Sequence, residues 1–372
     1  MSNRRAFIRT IAGATAGLIF TSCDLLDAAA AKAASLALPP QSAGAAPGAK
    51  RVVTVGGKRA KVIDVHAHCQ VPEVADLLKG TPLEGKAGGG RGGNFVLGPK
   101  RIDALDARGI DVQALNINGF WWYAADRDLA DKIVKLHNAK MAEWISAHSD
   151  RFVGLTSVSL QHPDLAAAQL EHAVKEQGFK GAAIGGSVMG EPLSSPRFDP
   201  FWAKAQELDV LVFMHPTNAE FLVKEDALKG KGDLGNIIGD PLETATFLSH
   251  MIYEGTLDKF PGLKICAAHG GGFLPSYLGR FDVACEVRAN AACANKKHPK
   301  QYLQSQIWAD TIINEQEGLR HLVAEMGPSQ VVYGTDIPFN WPESLDFILH
   351  EQMSDEDKVA ILGGNLSKLL KI

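Results

Sequence analysis

Four runs of apolar, largely β-branched residues each end in a residue able to hold a metal ion or move a proton. Val62-Ile63-Asp64-Val65 leads into His66-Ala67-His68, and Val210-Leu211-Val212-Phe213-Met214 into His215. Residues 263–268 lead into His269, and Val331-Val332-Tyr333-Gly334-Thr335 into Asp336. Short runs of this composition read as buried strands. Side chains along a strand alternate faces, so His66 and His68 point the same way, about 7 Å apart along the backbone. A single histidine capping a strand is usually a packing residue. Four histidines and an aspartate at four strand ends call for a fold that gathers those ends in one place.

The rest of the pattern supplies that fold. Strands are expected at Val62–His68, Asp111–Ile117, Phe152–Ser159, Gly181–Gly185, Val210–His215, Leu263–His269, Gln306–Asp310 and Val331–Asp336. Helical periodicity lies between them, clearest from Asp126 to about His148, with Leu129, Ile133, Leu136 and Trp144 on one face; another helix follows Pro163 and ends before Gly178. Eight strands alternating with helices make an α/β chain of the (β/α)8 TIM-barrel class, whose strand ends meet at the C-terminal face. Residues 51–61, with Gly56-Gly57 at the centre, read as a short N-terminal β-hairpin. A doubly wound sheet is the rival architecture, but no G-x-G-x-x-G follows the first strand. The glycine run at 88–93 reads equally as a loop over the barrel mouth or as an idle surface insertion.

A net charge of −4 and the lack of any basic stripe or zinc-finger spacing argue against nucleic acid as the natural partner and favour a small, mostly polar or anionic metabolite. Residues 1–34 read as a twin-arginine export signal: Arg4-Arg5 and Phe7 precede an apolar run, Ile11 to Phe20, too short to span a bilayer. Cleavage is expected within Ala28–Ala34, and a looser lipobox pattern would make Cys23 a lipid anchor. The chain is then periplasmic, and its partner in transit is the twin-arginine export machinery. Residues 35–50 form an Ala/Gly/Pro/Ser-rich linker and 51–372 the barrel domain. Cys69 and Cys266 fall in or beside strands and are expected as buried thiols. His137, His148, His162, His172, His250, His298, His321 and His350 lie outside the strand ends and are expected at the surface.

Three histidines and an aspartate with one open position suit zinc or a similar divalent ion, manganese included. A histidine left over beside such a site can take or give a proton near neutral pH.

The segments Asp64-Val65-His66-Ala67-His68, Arg101–Asp106, Gly109–Leu115, Arg151–Leu155, Phe213-Met214-His215-Pro216, Lys259–Lys264, Ala268-His269-Gly270-Gly271-Gly272 and Gly334–Phe339 together resemble the amidohydrolase superfamily. They are closest to its branch around aminocarboxymuconate-semialdehyde decarboxylase, over about Lys61 to Leu370. The resemblance implies that His66, His68, His215 and Asp336 bind the metal and that His269 is the catalytic base. It also implies a homodimer in which a neighbouring subunit's Arg280 reaches the substrate carboxylate. Binuclear relatives carry a carbamylated lysine at the end of strand four; here Lys180 stands at that strand's beginning, so one ion per chain is expected. The chain departs from the muconate-semialdehyde enzymes after His215-Pro216, where Thr217-Asn218 replaces their tryptophan, and Arg91 is out of register with their substrate-binding arginine. Trp121 and Trp122, within Phe120–Tyr123, either wall the substrate pocket or pack in the core.

Three functions fit. The first is a metal-dependent decarboxylase of an unsaturated or aromatic carboxylic acid. The second is a metal-dependent hydrolase of a lactone, amide or ester. The third is a non-catalytic periplasmic metal- or solute-binding protein.

Overall fold

The computed structural model describes residues 50–86, 93–339, 341–342 and 344–372. The export signal, residues 35–49 of the linker and residues 88–92 of the glycine run therefore lie outside the described residues. Eight parallel strands run β1 (Ile63–Asp64), β2 (Val112–Leu115), β3 (Phe152–Thr156), β4 (Gly181–Ile184), β5 (Leu211–Met214), β6 (Lys264–Ala267), β7 (Ile307–Asp310) and β8 (Val331–Val332), each hydrogen-bonded to the next in chain order. Main-chain bonds from Val65 N–H to Tyr333 O (3.1 Å), Asp336 N–H to His66 O (2.8 Å) and His68 N–H to Ile337 O (2.7 Å) join the ends of β8 and β1 and close the barrel. This is the (β/α)8 fold the alternation implies.

The regular strands are shorter than the sequence suggests. Past Asp64 the main chain leaves the ladder to make these closing bonds, and the His66–His68 segment is shaped by them rather than by pairing with β2. Helices α1 (Pro99–Arg108), α2 (Arg127–Ala147), α3 (Pro163–Glu176), α4 (Asp199–Glu207), α5 (Asp240–Tyr253), α6 (Leu278–Val287), α7 (Gln316–Met326) and α8 (Asn365–Leu370) follow the strands in turn. Their starts are written locally. Proline occupies the first turn of α1, α3, α4 and α5, and the Asp126 carboxylate caps α2 by accepting Leu129 N–H at 2.9 Å. The N-terminal hairpin pairs Thr54–Val55 with Lys58–Arg59, and Gly56 and Gly57 both take positive φ (56° and 75°), as a two-residue hairpin turn demands.

One expectation about a single residue needs amending. His137 is not a surface residue: it is 1% exposed beside Trp122, and burial pushes its imidazole down to about 3. Its side of α2 packs inward, which the mixed composition around it obscures. Cys69 and Cys266 are buried thiols, whereas Cys285 and Cys293 form a disulfide.

Candidate metal centre

The barrel's closing bonds bring the sequence's four strand ends together. His66, His215, His269 and Asp336 each offer a donor atom, all within 4.8 Å of one another. His68 belongs to the same group: its Nε2 lies 2.8 Å from Asp336 Oδ1, and its ring is 4.7 Å from that of His215. His66, His68, His215 and Asp336 are all under 9% exposed, while His269 keeps some exposed surface. The structure thus places His269 among the other four and not apart from them.

Gly334 makes this density possible. A Cβ there would sit 2.9 Å from His66 Cβ and 3.0 Å from Asp310 Cβ. Any side chain at 334 would push β8 off the two residues it must approach.

Two of the imidazoles are aimed from behind. His66 Nδ1 donates to Asp310 Oδ2 at 2.6 Å, and Asp310 Oδ1 accepts Gly270 N–H (3.0 Å) and Ile312 N–H (3.1 Å). His215 Nδ1 faces Pro216 O at 2.8 Å, an acceptor only, so Nδ1 carries the proton and Nε2 is left for the cluster. Asp310 went unremarked in the sequence although it closes a predicted strand; applying the strand-end rule to β7 would have found it.

A second buried carboxylate ties the barrel seam. Asp64 accepts from His66 N–H (3.0 Å), Thr335 N–H (3.0 Å), Thr335 Oγ1 (2.7 Å) and Gln113 Nε2 (2.7 Å). Burial raises it to about 6 against the pull of those donors. Arg101, 4% exposed, donates to His68 O at 2.6 Å and fixes the end of the His-x-His segment from α1.

The electrostatics of the cluster are those of a cation site. Burial penalises the Asp336 carboxylate, but His66 and His68 beside it hold it well below the usual range. Burial would likewise push His66 down, yet Asp336 and Asp310 raise it to about 10. His215 is pushed well below its usual value by burial and by the other imidazoles, and His269, by burial and then by His66, to about 4. His269 Nδ1 is buried without a hydrogen bond among the described residues. Imidazole nitrogens and one carboxylate, gathered this closely, fit a single divalent ion of the zinc or manganese type.

Residues 63–372 match the amidohydrolase family. The chain belongs to that family. It is 31% identical over 278 residues to a 2-amino-3-carboxymuconate-6-semialdehyde decarboxylase of Dictyostelium discoideum, covering 73% of this chain and 75% of that protein. The fold resembles that of 5-carboxyvanillate decarboxylase from Sphingomonas paucimobilis, with a TM-score of 0.76 at 22% identity, covering 84% of this chain and 99% of the other. It also resembles a dihydroxybenzoic acid decarboxylase from a Polaromonas species, solved with manganese and 2-nitroresorcinol. There the TM-score is 0.71 at 25% identity, over 84% of this chain and 97% of that one.

The residues expected to meet the substrate fare unequally. Trp121 is buried against the end of β4, where a Cβ on Gly185 would come within 2.8 Å of its indole. Trp122 packs instead with a separate apolar cluster that includes Val74, Leu78, Ala130 and Ile133, which is the core-packing alternative. Arg280 is exposed on α6 and the cluster does not include it within its own chain. The sequence also gave no notice of Asp240 and Glu243, two buried carboxylates at the start of α5 that grip the loop after β5.

Proposed function

We propose that this chain is a metal-dependent decarboxylase of an aromatic or unsaturated carboxylic acid, working through one divalent ion per chain. The observation that carries the reading is the cluster of His66, His68, His215, His269 and Asp336, in a chain whose relatives include several decarboxylases. When bound, the ion supplies Lewis acidity and an anchor for the substrate's oxygen atoms. His66, His68, His215 and Asp336 would hold it, with Asp310 and the Pro216 carbonyl orienting two of the rings. Manganese in a structural relative makes it a candidate alongside zinc.

His269 manages the proton. When the bond between the substrate carbon and its carboxylate breaks, the electron pair stays on that carbon and CO2 leaves. A proton from the His269 side then completes the new C–H bond. Trp121, packed in the main apolar core against the end of β4, would wall the substrate pocket there. In a homodimer, Arg280 of α6 would meet the carboxylate of a substrate held by the other copy. The exposed apolar residues Phe273, Tyr277, Val283 and Val287 around α6 support such a contact, and sedimentation checks it.

The decisive assay is CO2 release from a panel of hydroxybenzoic and unsaturated carboxylic acids by the metal-loaded protein. Turnover of lactones, amides or esters with no CO2 from any acid would favour the hydrolase reading. Metal binding without any turnover would favour the non-catalytic one.

We further infer a periplasmic location. The Arg4-Arg5 pattern supports it, as does the Cys285–Cys293 disulfide, a bond that persists in oxidising compartments. Replacing Arg4 and Arg5 together by Lys should hold the precursor in the cytoplasm, and unchanged fractionation would remove the claim.

A further inference from the structure

His66 has a carboxylate directly behind it, whereas His215 has only a peptide carbonyl. That carbonyl, Pro216 C=O, shares a rigid plane with the N–H of Thr217. Thr217 N–H donates to Glu243 Oε2 at 2.8 Å. Fixing one side of the plane therefore fixes the other, and with it the acceptor 2.8 Å from His215 Nδ1.

Glu243 is built for this. It is 5% exposed, near the start of α5. Oε2 also accepts Ala219 N–H at 3.0 Å, and Oε1 accepts Gly186 N–H at 3.2 Å from the end of β4. At Gly186 a Cβ would lie 2.7 Å from both Cγ and Oε1 of Glu243, so only glycine lets the carboxylate reach that amide. The intervening amide, Asn218 N–H, donates to Asp240 at 2.7 Å. Three consecutive amides are thus held by two carboxylates of one helix, across a loop where Asn218 and Ala219 both take positive φ (61° and 56°). Such a backbone persists only where its surroundings over-determine it.

We propose that Glu243 is a positioning residue for the metal centre, orienting His215 through the Pro216–Thr217 peptide, while Asp240 shapes the loop without acting on that ring. The proposal rests on the metal-site reading above.

The test titrates Mn2+ into metal-free protein by calorimetry and follows the hydrogen-bonded Nδ1–H proton of His215 by NMR. Glu243→Met keeps the length of the side chain and removes every acceptor from Thr217 N–H. It should bind Mn2+ on the order of 10- to 100-fold more weakly, the usual cost of losing an outer partner of a metal ligand. Its His215 Nδ1–H signal should shift or vanish, with circular dichroism unchanged. Glu243→Asp should recover part of the affinity, and it serves as the test variant if Glu243→Met does not fold. Asp240→Asn should match the parent chain in both measurements. A folded Glu243 variant with parental Mn2+ affinity and Nδ1–H signal would overturn the relay. So would an equal loss in Asp240→Asn, which would mean general loosening of the loop. Failure of the parent chain to bind Mn2+ would sink the metal reading instead, and the Nδ1–H signal, read in metal-free protein, would still decide the relay.

Discussion

Asp310→Asn is the substitution whose outcome the structure specifies most closely. Asp310 is fully buried, with Oδ2 2.6 Å from His66 Nδ1 and Oδ1 accepting two main-chain amides at 3.0 and 3.1 Å. Asparagine has one acceptor oxygen. The two amides claim it, because the alternative points an NH2 at two N–H groups. The NH2 then faces His66, and Nδ1 must accept rather than donate. The ring's proton moves to Nε2, which lies 3.1 Å from Asp336 Oδ1 and faces the cluster. A protonated Nε2 cannot ligate. Loss of an outer-shell partner of this kind costs about 10- to 100-fold in metal affinity. That is about 1.4–2.7 kcal/mol. The metal-free protein should also lose a buried hydrogen bond to a charged group, about 1.5–3 kcal/mol. Calorimetric Mn2+ titration of folded Asp310→Asn reads the first effect and urea unfolding of the metal-free chain the second. Parental metal affinity in the folded variant would show that His66 needs no partner behind it, and the reasoning would fail.

His269→Ala should keep its fold and most of its metal while turnover falls by about 10²–10⁴-fold; metal lost in step with activity, in the same preparation, would make His269 a ligand. Asp336→Ala should lose most bound metal by elemental analysis, and two tightly held ions in the parent chain would refute a single-ion site. His137 sits neutral in the core with its imidazole pushed down to about 3 by burial, below its unfolded value of 6.5. The unfolded state therefore binds the extra proton between those limits, so stability is present above pH 6.5 and drains away as pH falls, by up to about 1.4 kcal/mol per pH unit. His137→Leu should flatten that fall in urea melts at pH 6.5 and 4.5, and identical slopes would remove the assignment. Cys285 and Cys293 are eight residues apart, so replacing both by Ser should cost about 2–3 kcal/mol by loop-closure entropy, checked by thermal unfolding without reductant.

The disulfide and His137 show where one-dimensional reading stops. Nothing in the spacing of Cys285 and Cys293 distinguishes a closed loop from two surface thiols; α6 and the turn after it decide that. His137 sits in a helix of mixed composition, and which of its neighbours face inward depends on how α2 lies against β3 and the chain near Trp122. Trp121 and Trp122 are adjacent yet serve different clusters, since one peptide at φ 57° turns the second away.

What the sequence determined by itself was the strand-and-helix order and the residues at the strand ends. Both are local properties, set by apolar runs, turn residues and helix starts that need no distant partner. The cluster was legible for the same reason: a barrel of parallel strands gathers every C-terminal strand end, so listing the ends lists the site. Only the tertiary structure decided what stands behind those residues. Asp310 reaches His66 across 244 positions of sequence, Thr335 reaches Asp64 across 271, and Glu243 holds Thr217 from the neighbouring helix. These partners are chosen by where closure of the barrel and the lie of α5 put a carboxylate, and no periodicity or spacing along the chain records that distance.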